Sequence, residues 1–361
     1  MPDPTQEIDR NSRKPSASSR RGLDWLNFFL ADVQTGVGPF LAIYLASHQW
    51  NEERVGIALT IGGIAGIAAQ TPMGALVDRL HAKRSLMAVG VLGLALGAVI
   101  LALRPMFWWV VGAQTLIGAI SSIFGPAIGA ISLGLVGHRL LSRRLGRNQT
   151  FNSAGNVVAA VLMGVVGYFF AVRNIFFLVV LLCVPTLISL AMIRPEEIDY
   201  DLARGARDGE KMDAPAKFWE VFSDRPLLIF LFCAVLFHFA NAAMLPLLGE
   251  MLSKGKGSAS ALFMSACVVT TQLTITVSAF GIGRLAESWG RKPVMLIGFA
   301  ALPIRGVLYT LTSNTYLLIG IQVLDGIGAG IFGVLAALMI ADLTRGTGRF
   351  NFTQGAIATA V

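Results

Sequence analysis

A short polar sequence that occurs twice between long apolar runs constrains the fold of this chain most strongly. The first copy, residues 74–84, reads GALVDRLHAKR, and the second, residues 283–292, reads GRLAESWGRK. In both copies a carboxylate stands four residues after a glycine and a basic pair follows, and the two glycines are 209 residues apart. The segments 114–125 and 322–333 also match each other, at an offset of 208 residues. Two matches at nearly the same offset indicate a duplicated unit.

The apolar runs between these copies are long enough to cross a membrane. Hydrophobic residues make up 55% of the chain and charged residues 14%, whereas a soluble domain averages about a quarter charged residues. A membrane-spanning helix needs about 20 apolar residues. Runs of that length predict helices near residues 23–47, 55–79, 85–103, 106–136, 150–171, 174–193, 226–249, 258–283, 293–312, 315–341 and from about 350. We therefore predict an all-α, multi-pass protein whose surroundings are a lipid bilayer.

The distribution of charge divides the chain and predicts its orientation. Residues 1–22 predict a disordered tail, 23–193 a six-helix half, 194–225 a charged linker, and 226–361 a second half. With the tail on the inner side, 23 of the 29 Lys and Arg residues fall on inner segments and five on outer loops. Cytoplasmic loops carry such an excess of basic residues. We therefore expect a cytoplasmic N-terminus in a bacterial inner or plasma membrane.

Several other functions lack their sequence signals. The three cysteines lie in apolar runs without metal-ligand spacing, so we expect neither disulfides nor a metal site. Residues 328–333 read GAGIFG, but a dinucleotide site needs that glycine pattern between a strand and a helix. No Walker, H-E-x-x-H or G-x-S-x-G sequence occurs. We expect no enzyme activity, no cofactor and no nucleotide, and the net charge of +8 follows topology rather than nucleic-acid binding.

The two polar copies resemble the signature loop of the major facilitator superfamily, G-x-x-x-D-R-x-G-x-R/K-R/K. The matching residues are Gly74, Asp78, Arg79, Lys83 and Arg84 in the first copy and Gly283, Glu287, Gly290 and Lys292 in the second. His81 stands where the family has glycine, and Ser288 replaces the first basic residue of the second copy. The resemblance covers residues 23–361 and implies a secondary transporter with two pseudo-symmetric six-helix halves.

The resemblance also implies that the second half is incomplete here. Arg147 opens predicted helix five and Arg349 would open its counterpart, helix eleven. Only twelve residues follow Arg349. We therefore expect a fragment in which helix eleven is partial and helix twelve is missing.

The signature carboxylates have a predicted role at an inner gate. A carboxylate is favoured at a helix N-terminus, where unpaired N–H groups carry partial positive charge. The resemblance implies that Asp78 meets the start of helix eleven near Phe350, and that Glu287 meets the start of helix five near Thr150. The alternative is that both loops only satisfy the topology of the chain.

Helix one carries a polar stripe. Asp24, Asn27, Asp32, Gln34 and Thr35 fall within an arc of about 160°, at about 100° per residue. In the family this helix lines the central cavity, and ionisable groups at membrane depth are usually functional. Asp32 is the candidate proton-carrying group, with a structural hydrogen-bonding role as the alternative. Asp24 is expected to be solvated at the inner interface.

Other polar residues inside the spans are cavity candidates. They are Asn27, Gln34, Gln70, Gln114, Asn152, Asn156, His238, Asn241 and Gln272. Such groups could bind substrate or join helices to one another, and His238 could be a packing group. Gln114 stands where many proton-coupled relatives have arginine. Many drug antiporters of the family carry a Gly-Pro motif on helix five, whereas the Gly-Pro pair of this chain, residues 125–126, is on helix four. The usual marks of drug–proton antiport are therefore absent, and Asp32 would have to carry the proton.

Two charges in the second half predict a buried ion pair. Helices nine and ten run antiparallel around a turn at 313–314, and 315 is the midpoint between Arg305 and Asp325. Both residues should therefore lie about 15 Å below the outer end, at about 1.5 Å per residue. The pair could clamp the helices together or take part in a conformational switch.

These observations favour a monomeric secondary transporter that moves a small organic solute by alternating access, with proton-coupled efflux as the expected direction. Proton-coupled uptake of a sugar or organic acid is an alternative. A non-transporting or inactive membrane protein is another, because of the missing helices.

Overall fold

The computed structural model describes residues 15–35, 41, 44–45, 48–207, 223–242, 244, 248 and 259–361. Within these, the side chains of 32, 34, 35, 52, 164, 168, 259–262, 264 and 265 lie outside the description. The described part is helical and contains no strand, as the apolar runs predict. Among its helices, eight are long and apolar enough to cross a membrane.

The described residues of the first half form six helices. They are α1 (Ala17–Thr35), α2 (Glu52–Arg79), α3 (Lys83–Leu103), α4 (107–136), α5 (138–169) and α6 (Arg173–Ala191). Helix α1 begins at Ala17, so residues 17–22 belong to a helix rather than to the predicted disordered tail. Asn51 caps α2 by accepting the Arg54 N–H through its side chain.

Helices α4 and α5 follow each other directly within Phe107–Phe169 and are separated by a kink at Gly137. Gly137 has φ 66° and ψ 175°, a conformation that is available essentially to glycine alone. The start of helix five predicted at residue 150 is therefore wrong, because the helix already begins just after Gly137. The many basic residues in 138–149 predict a loop, but the segment is helical.

Residues 195–207 begin the linker, and the described residues of the second half form five helices. Two short 3-10 turns occupy Pro195–Glu197 and Leu202–Arg204. The helices are α7 (Arg225–Ala242), α8 (Ala259–Ser288), α9 (Arg291–Leu311), α10 (Thr315–Leu343) and α11 (Phe350–Ala360). Asn314 caps α10 by accepting the N–H groups of Tyr316 and Leu317. The described α11 has 11 residues, and the predicted absence of helix twelve stays a prediction.

Two large apolar clusters organise the bundle. The first joins the helices of the first half and includes Ile198 and Ala203 from the linker. The second joins α7–α11 to Leu133, Leu141 and Leu145 of α4 and α5, so it spans both halves. The α2–α3 and α8–α9 turns, the break at Gly137, the α10–α11 connection and residues 195–207 lie at one end of the bundle, which we call the loop face.

Candidate functional site

Asp78 lies at the crossing of α2 and α11, on the loop face. The carboxylate is 3% exposed. Its Oδ1 accepts the backbone N–H of Asn351 at 3.2 Å, and its Oδ2 accepts that of Phe352 at 2.7 Å. These donors belong to the first turn of α11, where no intrahelical acceptor is available. The structure thus places Asp78 against the N-terminus of helix eleven.

The backbones of α2 and α11 approach each other closely at this crossing. A Cβ atom built on Gly74 would lie well inside van der Waals contact of the Asn351 carbonyl oxygen. A Cβ atom on Gly355 would meet the Gln70 carbonyl oxygen in the same way. Glycine at both positions lets Asp78 reach the helix N-terminus.

The crossing of α8 and α5 repeats this backbone geometry. A Cβ atom on Gly283 would lie 2.5 Å from the Ser142 carbonyl oxygen, and one on Gly146 would lie 2.6 Å from that of Ala279. Each of these residues stands 209 positions from its counterpart at the first crossing. The duplicated unit therefore pairs Ser142 with Asn351.

One correction to the sequence register follows from this symmetry. Matching Arg147 to Arg349 was wrong by seven residues, because the 209-residue offset aligns Ser142 with Asn351. The same offset aligns the positive-φ glycines Gly137 and Gly346, which precede α5 and α11.

Glu287 makes a different contact from the one predicted. Its Oε1 accepts the Ser142 hydroxyl at 2.5 Å, and its Oε2 accepts Nε of Arg143 at 2.7 Å. The expected contact near Thr150 is wrong, since α5 begins about a dozen residues earlier. The donors are two side chains rather than backbone N–H groups.

The basic residues of the two signature loops lie in different surroundings. Lys83 is 1% exposed and donates to the Val77 carbonyl at 2.6 Å, near the C-terminus of α2 where a positive charge is favoured. Arg84 donates to the Ala191 carbonyl of α6 at 3.3 Å. Arg79 and Lys292 are exposed, and Gly290 has φ 90° immediately before α9.

Asp24 is buried, which corrects the expectation that it is solvated. Its side chain is 2% exposed and pairs with Arg144 and with Arg147, whose Nη2 lies 2.6 Å from Oδ2. Arg144 also donates to Asn148, which in turn donates to Ser132. The cluster joins α1, α5 and α4 near the loop face. The sequence analysis missed it because both arginines were assigned to a loop.

Arg305 and Asp325 are in contact inside the second half. Arg305 is 3% exposed and donates through Nη1 to Asp325 and through Nη2 to Asn241. Thr271 donates to the second carboxylate oxygen of Asp325 at 3.2 Å. Gln322 completes the cluster through Thr271. These contacts connect α7, α8, α9 and α10 within the bundle.

Several of the other predicted cavity residues hydrogen-bond within their own helix. His238 packs against Phe332 and places Nδ1 3.0 Å from the Ala234 carbonyl oxygen, an arrangement typical of a packing residue. Asn27 donates to Leu23 of its own helix at 2.7 Å, and Asn156 donates to Asn152 at 3.4 Å.

Three glutamines present buried polar atoms. Within the described part of the chain, the Oε1 atoms of Gln70, Gln114 and Gln272 have no hydrogen-bond partner. The side chains of Asp32 and Gln34 lie outside the described residues.

Comparison with known proteins identifies the class. The sequence profile of the Major Facilitator Superfamily matches residues 25–273, and that of the family "Sugar (and other) transporter" matches residues 227–353. An uncharacterized MFS-type transporter of Mycobacterium tuberculosis, found in strains CDC 1551 and H37Rv, is 46% identical over 343 residues. That match covers 94% of this chain and 82% of the relative.

Two more distant proteins are also similar. A multi-drug resistance efflux pump homolog of Lactococcus lactis is 23% identical over 286 residues, covering 76% of this chain and 68% of the relative. The crystal structure of a human organic anion transporter superposes with a TM-score of 0.71 at 16% identity, covering 96% of this chain and 92% of that one. At this identity the structural likeness shows the fold.

The helices and their duplicated crossings define a multi-pass membrane protein with two related halves. The chain belongs to the major facilitator superfamily, a family of transporters rather than enzymes. This confirms the resemblance drawn from the signature loops.

Proposed function

We propose that this protein is a secondary transporter that exports a small organic solute by alternating access, coupled to protons. The observation that carries the proposal is the pair of symmetric crossings, α2–α11 and α8–α5, at which glycines bring the two halves into backbone contact. A rocking motion of one half against the other would separate both crossings at once. Their position on the most basic loops supports a cytoplasmic orientation of the loop face.

With that orientation, the structure corresponds to a state closed toward the cytoplasm. Asp78 and Glu287 then act as latches that must release before the inner side opens. Because Asp78 is buried and bonded to a helix N-terminus, its release costs more free energy than the release of Glu287.

Separate observations support the direction of transport and the driving ion. The Lactococcus lactis relative is described as an efflux pump, which favours export. Asp32 is the proposed proton carrier, and Asp325 is a second carboxylate at membrane depth, held by Arg305.

Uptake of a sugar or organic acid is the second candidate function. The match of residues 227–353 to the sugar transporter family favours it. Both candidates couple the movement of the solute to that of a proton. The two move in opposite directions in export and in the same direction in uptake.

Inside-out vesicles distinguish these functions. We expect addition of a transported solute from a chemically varied panel to release protons from acid-loaded vesicles, and Asp32→Asn to abolish this release. Alkalinisation of the outer medium by solute in vesicles without an imposed gradient would indicate symport. An Asp32→Asn protein that still concentrates solute against a pH gradient would exclude Asp32 as the proton carrier. No solute-dependent proton movement across the whole panel would contradict coupled transport.

A further inference from the structure

Residues 198–207 of the linker, which we call the strap, pack as part of the first half. The Asp199 N–H donates to the Gly134 carbonyl at 3.0 Å, and Nε2 of His138 lies 3.0 Å from the Ala206 carbonyl oxygen. The side chains of Ile198 and Ala203 are 4% and 0% exposed. The strap is therefore anchored to the ends of α4 and α5.

The shape of the strap is set by its own sequence. Asp199 Oδ1 accepts the N–H groups of Asp201 and Leu202, which begins the 3-10 turn. Gly205, at φ 94°, ends the turn in a conformation that favours glycine. This fold-back presents the carbonyl groups of Ala203 and Gly205 toward the second half.

The second half binds both of these carbonyl groups. Asn351 Nδ2 donates to the Ala203 carbonyl at 2.8 Å, and the Gly346 N–H donates to the Gly205 carbonyl at 2.6 Å. The same Nδ2 group also donates to Asp78 Oδ1 at 2.8 Å. Asn351 is 0% exposed, so its two amide hydrogens are shared between the latch carboxylate and the strap.

The symmetry-related position shows that this contact is particular to one crossing. Ser142 occupies the position of the first half that corresponds to Asn351. Among the described groups, its hydroxyl donates to Glu287 alone. Among the described hydrogen bonds, those of the strap reach Asn351 at the α2–α11 crossing and none reaches Ser142 or Glu287.

We propose that Asn351 is a positioning residue that couples the strap to the Asp78 latch, so that strap and latch separate from α11 together. The inference rests on the proposed alternating access only for its role in transport. If Asp78 separated from α11 while the strap stayed in place, the buried Asn351 amide would keep the Ala203 carbonyl as an acceptor but lose Asp78. An unmade buried hydrogen bond is costly. The linker thus becomes a third component of the gate.

The test uses the full chain in lipid nanodiscs, without any solute. Cys183, Cys233 and Cys267 are replaced by serine, and spin labels are placed at Ala82 and Arg345, which are exposed on the two halves. Label distances report separation of the halves at the loop face, and trypsin cleavage after Arg204 reports release of the strap. The variants are Asn351→Ala, Ala203→Glu in the strap, and Ser142→Ala as the matched control at the other crossing.

We expect Asn351→Ala to raise both the separated fraction and the cleavage rate after Arg204 by about fivefold to tenfold, the effect of one buried hydrogen bond. Ala203→Glu should separate the labels to a similar extent, although it does not touch Asp78. Ser142→Ala should raise both readouts less than Asn351→Ala does, because among the described groups Ser142 donates only to Glu287, whose other donor is exposed.

Two results would overturn the coupling. One is separated labels in Asn351→Ala with wild-type cleavage after Arg204. The other is a wild-type label distance in Ala203→Glu, which also decides the matter if Asn351→Ala does not fold. Because neither readout needs a solute, a failure of the transport assay leaves these outcomes unaffected.

Discussion

At the α2–α11 crossing the carboxylate of Asp78 is buried and accepts backbone N–H groups, whereas at the α8–α5 crossing Glu287 is 24% exposed and accepts two side chains. One of those donors, Arg143, is itself 60% exposed. Exposed ion pairs contribute about 0–1 kcal/mol, while hydrogen bonds to a charged group contribute about 1.5–3 kcal/mol. The duplication therefore keeps the backbone contact at both crossings but places the stronger latch at only one.

The two halves also hold their buried charges at different places. In the first half, Asp24 and Arg144 pair near the loop face, and the 209-residue offset puts Cys233 and Thr353 at the matching positions. In the second half, Arg305 and Asp325 pair within the bundle. The residues at the corresponding positions of the first half, 208 residues earlier, are the uncharged Gly97 and Ile117. The two halves thus share a fold but place their buried ion pairs at different positions.

The largest effect is expected from Asp325→Leu. This change leaves Arg305 buried without its ion partner, and breaking a buried pair costs about 3–5 kcal/mol. We expect folded yield and thermal stability in detergent to fall sharply. The double variant Arg305→Met with Asp325→Leu should recover most of the loss, because it removes both charges. A single variant as stable as the wild type would show that the pair does not hold the second half together.

The glycine crossings should respond next. Gly74→Ala forces a Cβ atom against the Asn351 backbone, and overpacking costs about 1–3 kcal/mol. We expect the loop-face label distances to lengthen for Gly74→Ala and for Gly283→Ala. Gly63→Ala and Gly281→Ala are the controls, since a Cβ atom at either position meets nothing within 4 Å. Equal distances in test and control variants would contradict close backbone contact between the halves.

The latches themselves should differ in a direct comparison. Asp78→Asn weakens charge-assisted bonds to a helix N-terminus and should open the loop face by about tenfold or more. Glu287→Gln should change the open fraction less than about fivefold, because its contacts are partly exposed. Spin-label distances in the two variants measure this ranking. The reverse ranking would refute the asymmetry between the crossings.

Much of this arrangement could be predicted from patterns in the sequence. The two signature copies and the apolar runs predict the family and the all-helical fold. Counting residues around the turn at 313–314 puts Arg305 opposite Asp325, because antiparallel helices fix relative depth. The apolar run that starts near residue 350 predicts helix eleven, although the match of Arg349 to Arg147 is wrong.

Other features of the structure depend on backbone geometry that cannot be read from residue types. The polar stretch 138–149 looks like a loop, and only the positive φ of Gly137 shows where α5 begins. That displacement hid the Asp24 cluster and misplaced the partner of Glu287. The strap contacts are backbone carbonyl groups, which leave no side-chain signal in the sequence.

The most direct test of the account is a reversible cross-link across the α2–α11 crossing. Thr71 and Thr359 face each other there, with their hydroxyl oxygens 2.8 Å apart. In a background without native cysteines, Thr71→Cys with Thr359→Cys is oxidised in inside-out vesicles and then reduced. We predict that oxidation stops solute-dependent proton movement and that reduction restores it, while each single variant is unaffected by oxidation. Transport at the wild-type rate by fully cross-linked protein would contradict the claim that this crossing opens during the cycle.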